Sequence, residues 1–243
     1  MIVIRDDAER RGIDVCEGAI GWLNNESGME VLYLYDEEVP NCGLKFVPSA
    51  ECDSVYYIDS FDRTRFIRTD CIFKKAHEER LAELKHIAHS LGAKSCTIEI
   101  NESNVEVNVS KKKASIGGGG LFHGTKASTT ESAEQNASAK ITSHRSGKIT
   151  STFEGSSEPK MPELKWFAHD EIISKLIDSR LNSGNSIKTE TLELDGASSA
   201  TMSQKTAYAI DNAVGAMKIK GSSSMESQAV RENHSTFLFS IEF

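Results

Sequence analysis

The chain has 243 residues, enough for one large domain or two small ones with a substantial core. Hydrophobic residues make up 38% and charged residues 26%, a soluble globular composition, and no run of about 18 apolar residues encodes a transmembrane helix. The formal net charge of −8 argues against generic nucleic-acid binding, which needs a basic field. The charge is uneven: residues 1–60 carry 13 acidic and 4 basic side chains, a net −9, which leaves about +1 for the remainder. The apolar start "MIVI" is too short for a signal peptide, so a cytoplasmic protein is expected. The five cysteines, Cys16, Cys42, Cys52, Cys71 and Cys96, are odd in number and form no CxxC pair. Reduced, mostly buried thiols are expected rather than a zinc site, with Cys16, in an expected N-terminal helix, a candidate for acylation.

In chain order, "EVLYLYDEEV" (30–39) and "DSVYYIDSF" (53–61) predict strands, rich in Val, Tyr and Ile, and "RTRFIRTD" (63–70) a third short one. The acidic residues Asp59, Asp62 and Asp70 at these strand ends suit either Mg²⁺ or ordinary turns. A long packing helix follows in "IFKKAHEERLAELKHIAHSLG". There Leu81, Leu84, Ala88 and Leu91 recur at helical spacing and Gly92 stops it. Glu79, Arg80, Glu83 and Lys85 are expected on its wet side. His77, His86 and His89 lie along it too far apart for a tight metal constellation.

The stretch "SCTIEINESNVEVNVS" (95–110) alternates, but Cys96, Ile98 and Ile100 share one parity and Val105, Val107 and Val109 the other. Either "NESN" is a four-residue hairpin turn or one long strand carries a bulge there. Residues 111–137 have no period, and "SAKITSHRSGKITSTFEG" (138–155) is a second extended arm. "LKWFAHDEIISKLIDSRLN" predicts a helix with Trp166, Ile173, Leu176, Ile177 and Leu181 as its buried stripe. "SIKTETLELDG" predicts a strand and "SATMSQKTAYAIDNAVGAM" a helix, while "KIKGSSSMESQ" and "HSTFLFSIEF" are read as extended. "ELKHIAHSLGAKSCTIEI" and "KTAYAIDNAVGAMKIKGS" echo one another as helix, Gly-Ala and extended run.

The least ordinary segment is "KKKASIGGGGLFHGTKAS" (111–128). It is not a P-loop, because the lysine does not follow the last glycine and no helix former comes next. "LFHGT", Leu121 to Thr125, resembles the strand motif of ADP-ribosyltransferases of the poly-ADP-ribose polymerase type. That resemblance implies a dinucleotide held by His123, with Tyr208 and Glu242 standing for the later tyrosine and glutamate. The Gly-aromatic motif expected near the tyrosine is missing. No Ser-His-Asp or Gly-x-Ser-x-Gly arrangement is present.

The order of segments, arm, polar insert, arm, helix, strand, second insert, strand, resembles the layout of the membrane-attack-complex/perforin, cholesterol-dependent cytolysin and gasdermin pore formers. In that superfamily a bent antiparallel sheet carries two segments that refold into membrane-spanning hairpins on assembly. By this resemblance the inserts are 110–143 and 197–232, both rich in Ser, Thr, Ala and Gly. Lys111, Lys112, Lys113, Leu121 and Phe122 are then membrane-contacting, and Gly117, Gly118, Gly119 and Gly120 form a conformational hinge.

The expected fold is α+β: a twisted, mostly antiparallel sheet with long hairpin strands and about three packing helices. It forms one domain over 1–243, with an acidic N-terminal third (1–60) and a pore-former-like core (95–243). The expected function is a self-assembling membrane pore-forming effector or toxin that catalyses no reaction and needs no metal or cofactor. It is cytoplasmic when soluble and membrane-associated when assembled. Its partners are a lipid membrane and further copies of itself, with a regulatory protein or protease as a candidate control and no nucleic acid. The alternatives are a soluble protein-binding or oligomeric scaffold protein and, third, the transferase.

Overall fold

The computed structural model describes residues 1–6, 18–107, 139–182, 187–219 and 224–243, with the backbone alone for 102–107 and 139–146. The strands are β1 (Ile2–Arg5), β2 (Gly21–Glu26), β3 (Met29–Tyr35), β4 (Lys45–Val47), β5 (Val55–Ile58), β6 (Arg65–Arg68), β7 (Ser95–Val107), β8 (Ala139–Thr152), β9 (Thr189–Asp195) and β10 (Ser235–Glu242). The helices are α1 (Ile72–Ser90), α2 (Glu171–Leu181), α3 (Gln204–Met217) and α4 (Met225–Asn233). The α+β class and the mostly antiparallel pairing agree with the sequence, but the strands divide into two sheets and a fourth helix is present.

The first sheet runs β2-β3-β1-β5-β6-β4, with β1 parallel to β3 and β4 parallel to β6. One of its faces, with Val3, Val31, Val55 and Ile67, packs on Ala207, Ile210 and Val214 of α3, Met225 and Ala229 of α4, and the start of α1. The other, with Ile4, Leu34, Tyr56 and Phe46 of β4, is covered by Val39, Cys42 and Leu44. Being covered on both faces, β1 and β3 have nearly continuous buried runs instead of alternation.

The second sheet runs β8-β7-β10-β9 and is antiparallel throughout. Cys96, Ile98, Phe237, Phe239, Ile241 and Leu194 bury one face against α1 and α2. The opposite face carries Thr97 beside Thr150, Thr191 beside Ser240, and a Lys148–Glu99 ion pair at 2.8 Å. This one-sided burial produces the strict alternation legible in "HSTFLFSIEF".

Helix α1 joins the two cores: Ile72 and Phe73 belong to the first, and Ala76, Leu84, Ile87 and Ala88 to the second. It ends as expected at Gly92, in the left-handed region at φ +82°. The Gly92 amide donates to His89 O and the Ala93 amide to Ala88 O, both at 3.0 Å, a Schellman closure. A Cβ at Gly92 would also collide with the Ser156 carbonyl.

Several elements differ from the sequence reading, among them strands β2 and β4, which it did not assign. Helix α2 begins at Glu171, where Asp170 accepts from the Ile172 and Ile173 amides at 2.9 and 3.0 Å, so Trp166 is buried from a loop and not from the helical stripe. Helix α4 occupies residues read as extended. Ser224 caps it, and the Asp211 carboxylate takes the Met225 and Glu226 amides at 2.9 Å each. The internal echo fails for the same reason, since α1 leads into β7 whereas α3 is followed by α4. The apolar "IVIR" start is strand β1, fixed by its parallel pairing with β3.

Candidate functional site

Two features stand out: a long strand ribbon at one edge of the second sheet, and a charged junction along α1.

Strands β7 and β8 have 13 and 14 residues, against 8 in β10. The pairing of β7 with β10 ends at Glu102↔Ser235, whereas its pairing with β8 continues to Val107↔Ala139. Beyond Glu102 the two arms therefore continue as a two-stranded ribbon with no third strand beside them among the described residues. The alternatives at "NESN" resolve as one long strand with an irregularity: the register steps from Asn104↔Ser143 to Val105↔Ile141, with Thr142 the extra residue. Past the bulge, the paired residues alternate in character, Val105 with Ile141, Glu106 with Lys140, Val107 with Ala139.

The second feature corrects the expectation that Arg80 and Glu83 face water: their residues are 1% and 8% exposed. Arg80 forms an ion pair with Glu232 of α4 and donates to Thr201 Oγ1 at 2.8 Å. Thr201 closes the unit, its amide donating to Glu232 Oε2 at 2.8 Å and its hydroxyl to Oε1 at 2.6 Å. The Arg80 guanidinium lies over the Trp166 ring, 4.8 Å from its centroid. Thr201 precedes α3 and Glu232 sits in the last turn of α4, so a single arginine grips both ends of the α3–α4 unit.

One turn away, the Glu83 carboxylate accepts three backbone amides, from Lys165 and Trp166 at 2.8 Å and from Phe167 at 3.1 Å. The three amides of the 165–167 loop cradle this carboxylate as a helix N-terminus cradles an anion. Glu79 takes Arg65 at 2.8 Å and Lys165 at 2.7 Å. Burial pushes the Glu79 carboxyl up, but Lys165 and Arg65 outweigh it and hold it below the ordinary carboxylate value. Arg65 also pairs with Asp59 at 2.8 Å, Asp62 accepts from Thr64, and Asp70 pairs with Arg68. The strand-end aspartates are thus turn and ion-pair residues. The carboxylates of this junction, Asp59, Glu79, Glu83 and Glu232, each have ionic or hydrogen-bond partners, and those contacts tie α1 to α4, to β6 and to the 165–167 loop.

Lys111, Lys112, Lys113, Leu121, Phe122, Gly117, Gly118, Gly119 and Gly120 lie outside the described residues, as do Cys16 and His123. The first expected insert, 110–143, lies almost entirely outside them. The second, 197–232, contains helices α3 and α4, which pack into the first core. Tyr208 is exposed on α3, and Glu242 ends β10 in the other sheet, where Ser95 donates to it at 3.1 Å. His77 is tilted against Phe237 and His89 against Phe153. Among the described residues no group of His, Cys, Asp or Glu could hold a metal ion. No helix among them is long and apolar enough to cross a membrane.

The charged junction had no simple sequence signal. Arg80 and Glu83 fall on the same helical stripe as Ala76, Leu84 and Ile87, and that placement among apolar residues was the available clue. No family model, no curated protein and no solved structure matches the chain.

Proposed function

We propose that the protein is a self-assembling membrane pore former, in which the β7–β8 ribbon becomes part of a membrane hairpin. The observation that carries this reading is the length of the ribbon: arms of 13 and 14 residues, continued beyond the rest of their sheet. A bilayer is crossed by a strand of about 9–11 residues, and a spanning hairpin needs alternating character along both arms. The paired sequence past the bulge has that alternation. Among the described residues β8 and β9 are the edge strands of the second sheet, and an edge strand is a ladder along which copies can add. The α3–α4 unit, gripped at Thr201 and Glu232 by Arg80, is the second segment that changes shape on assembly, and its release requires that grip to break.

A soluble binding or scaffold protein is the competing reading. It is favoured by the burial of Ala207, Ile210, Ala213 and Val214 of α3, which makes α3 part of the core of the first sheet. The two part in one experiment. The protein is mixed with dye-loaded neutral and anionic liposomes, and the same samples are imaged by negative stain. Dye release with ring or arc particles supports the pore former. Intact liposomes and monodisperse small particles over a range of lipid composition and pH return the protein to the binding class.

A further inference from the structure

Between α1 and the end of α4 lies an open cleft of about 580 Å³, lined by Phe73, Lys74, His77 and Arg80 of α1, Gln228, Arg231 and Glu232 of α4, and Ser235 at the start of β10. We propose that this cleft binds a small phosphate-bearing anion, with Lys74 and Arg231 as its outer cations and Arg80 at its base. The inference stands independently of the membrane reading.

Three observations support it. Three cations, Lys74, Arg80 and Arg231, line the cleft against one carboxylate, Glu232, in a protein of net charge −8. Its neighbouring carboxylates are already committed: Glu232 to Arg80 and Thr201, Glu78 to Lys75 at 2.8 Å, and Glu226 to the Gln204 side-chain amide at 3.3 Å. Finally, Arg80 is 1% exposed, yet its Nε–H is buried without a hydrogen-bond partner among the described residues. A buried, charged donor left unpaired is costly, and in native proteins such groups are met by an ion, a ligand or water. The open cleft is a route by which an anionic oxygen can approach the Arg80 side chain. Two exposed cations above a guanidinium suit the several acceptor oxygens of a phosphate better than a single carboxylate.

That phosphate chemistry is shared by soluble phosphate compounds and by lipid headgroups, and the test separates them. Binding of inorganic pyrophosphate and of glycerol phosphate to the full chain is measured by calorimetry. Co-sedimentation is measured with phosphatidylcholine vesicles made with and without phosphatidic acid. The expected result is saturable binding of a soluble probe, or co-sedimentation dependent on phosphatidic acid, weakened roughly tenfold by Lys74→Gln and again by Arg231→Gln. Lys45→Gln, on the first sheet and away from the cleft, leaves it unchanged. Soluble binding identifies a free phosphate compound, and vesicle binding alone identifies a headgroup. Both substituted side chains are exposed, so the ligand-free thermal midpoint should stay where it is. Absence of binding to every probe, or binding that the Lys74→Gln/Arg231→Gln double variant retains in full, overturns the site. If dye release persists in that case, the site falls while the pore reading stands.

Discussion

Arg80 on α1 and Glu232 on α4 meet in the interior across 152 positions of sequence, with side chains only 2% and 7% exposed. The pair is an asymmetric device. Its formation offsets a desolvation cost of several kcal/mol per ion, so the intact pair contributes little net stability, whereas losing one partner strands a buried charge.

Arg80→Met should therefore destabilise the protein by about 3–5 kcal/mol, and the Arg80→Met/Glu232→Leu double variant should recover most of that loss. Urea denaturation of the two single variants and the double variant measures this coupling directly. If the double variant is as unstable as the singles, the pair is not the unit described above. Under the pore-forming proposal, Glu232→Gln should also speed dye release, because it weakens the grip on α4.

Glu83→Ala should cost about 3 kcal/mol or more, since it removes the acceptor for three buried or half-buried backbone amides at once. Glu83→Gln, which keeps one acceptor oxygen, should lose distinctly less. Limited proteolysis reads the same event locally: the alanine variant should become cleavable at Lys165, while wild type resists.

Glu79 makes stability pH-dependent with a definite sign. Its folded carboxyl titrates below the ordinary value of 4.5, because Lys165 and Arg65 overcome the effect of burial. A depressed acid stabilises the fold fully above its unfolded pKa, and that stability is lost as the pH falls through the folded pKa. Thermal midpoints should therefore drop below about pH 4.5, and Glu79→Gln should flatten that part of the profile while lowering stability at neutral pH. An unchanged acid limb in Glu79→Gln would mean that other carboxylates set it.

Cys52 is exposed yet should react slowly. Burial of its sulfur and a hydrogen bond to Asp36 raise its thiol from 9.0 to about 11, leaving roughly a hundredfold less thiolate at neutral pH than an unperturbed cysteine has. Alkylation followed by peptide mass spectrometry should show Cys52 lagging far behind a free thiol at pH 7, and Asp36→Asn should accelerate it. Modification of Cys52 at the rate of a model thiol would show that the Asp36 contact does not persist in solution.

Much of the fold is legible locally. Alternation in "SCTIEI", "TETLELD" and "HSTFLFSIEF" marks β7, β9 and β10, because a sheet buried on one face imposes a period of two. The period of "HEERLAELKHIAHSLG" and its terminal glycine mark α1 and its end, because a stop needs a residue that tolerates positive φ. The junction is not legible in this way. Arg80 and Glu83 look like wet-side residues, since a charged side chain goes inside only when partners meet it. Those partners, Thr201, Glu232 and the amides of 165–167, come from 82 to 152 positions away.

By itself, then, the sequence determined the α+β class, helix α1 with its stop, and the extended character of 95–107, because each rests on a periodicity written into neighbouring residues, while the choice of one long bulged strand over a hairpin at "NESN" came from the pairing with β8. Tertiary structure alone decided that the strands split into two sheets, that "IVIR" is a strand paired in parallel, that "SMESQAVREN" is a helix, and that Arg80 holds both ends of α3–α4. Each of these depends on a contact between distant segments, where the free energy of burying a strand edge, a helix end or a charge is settled by what arrives to meet it.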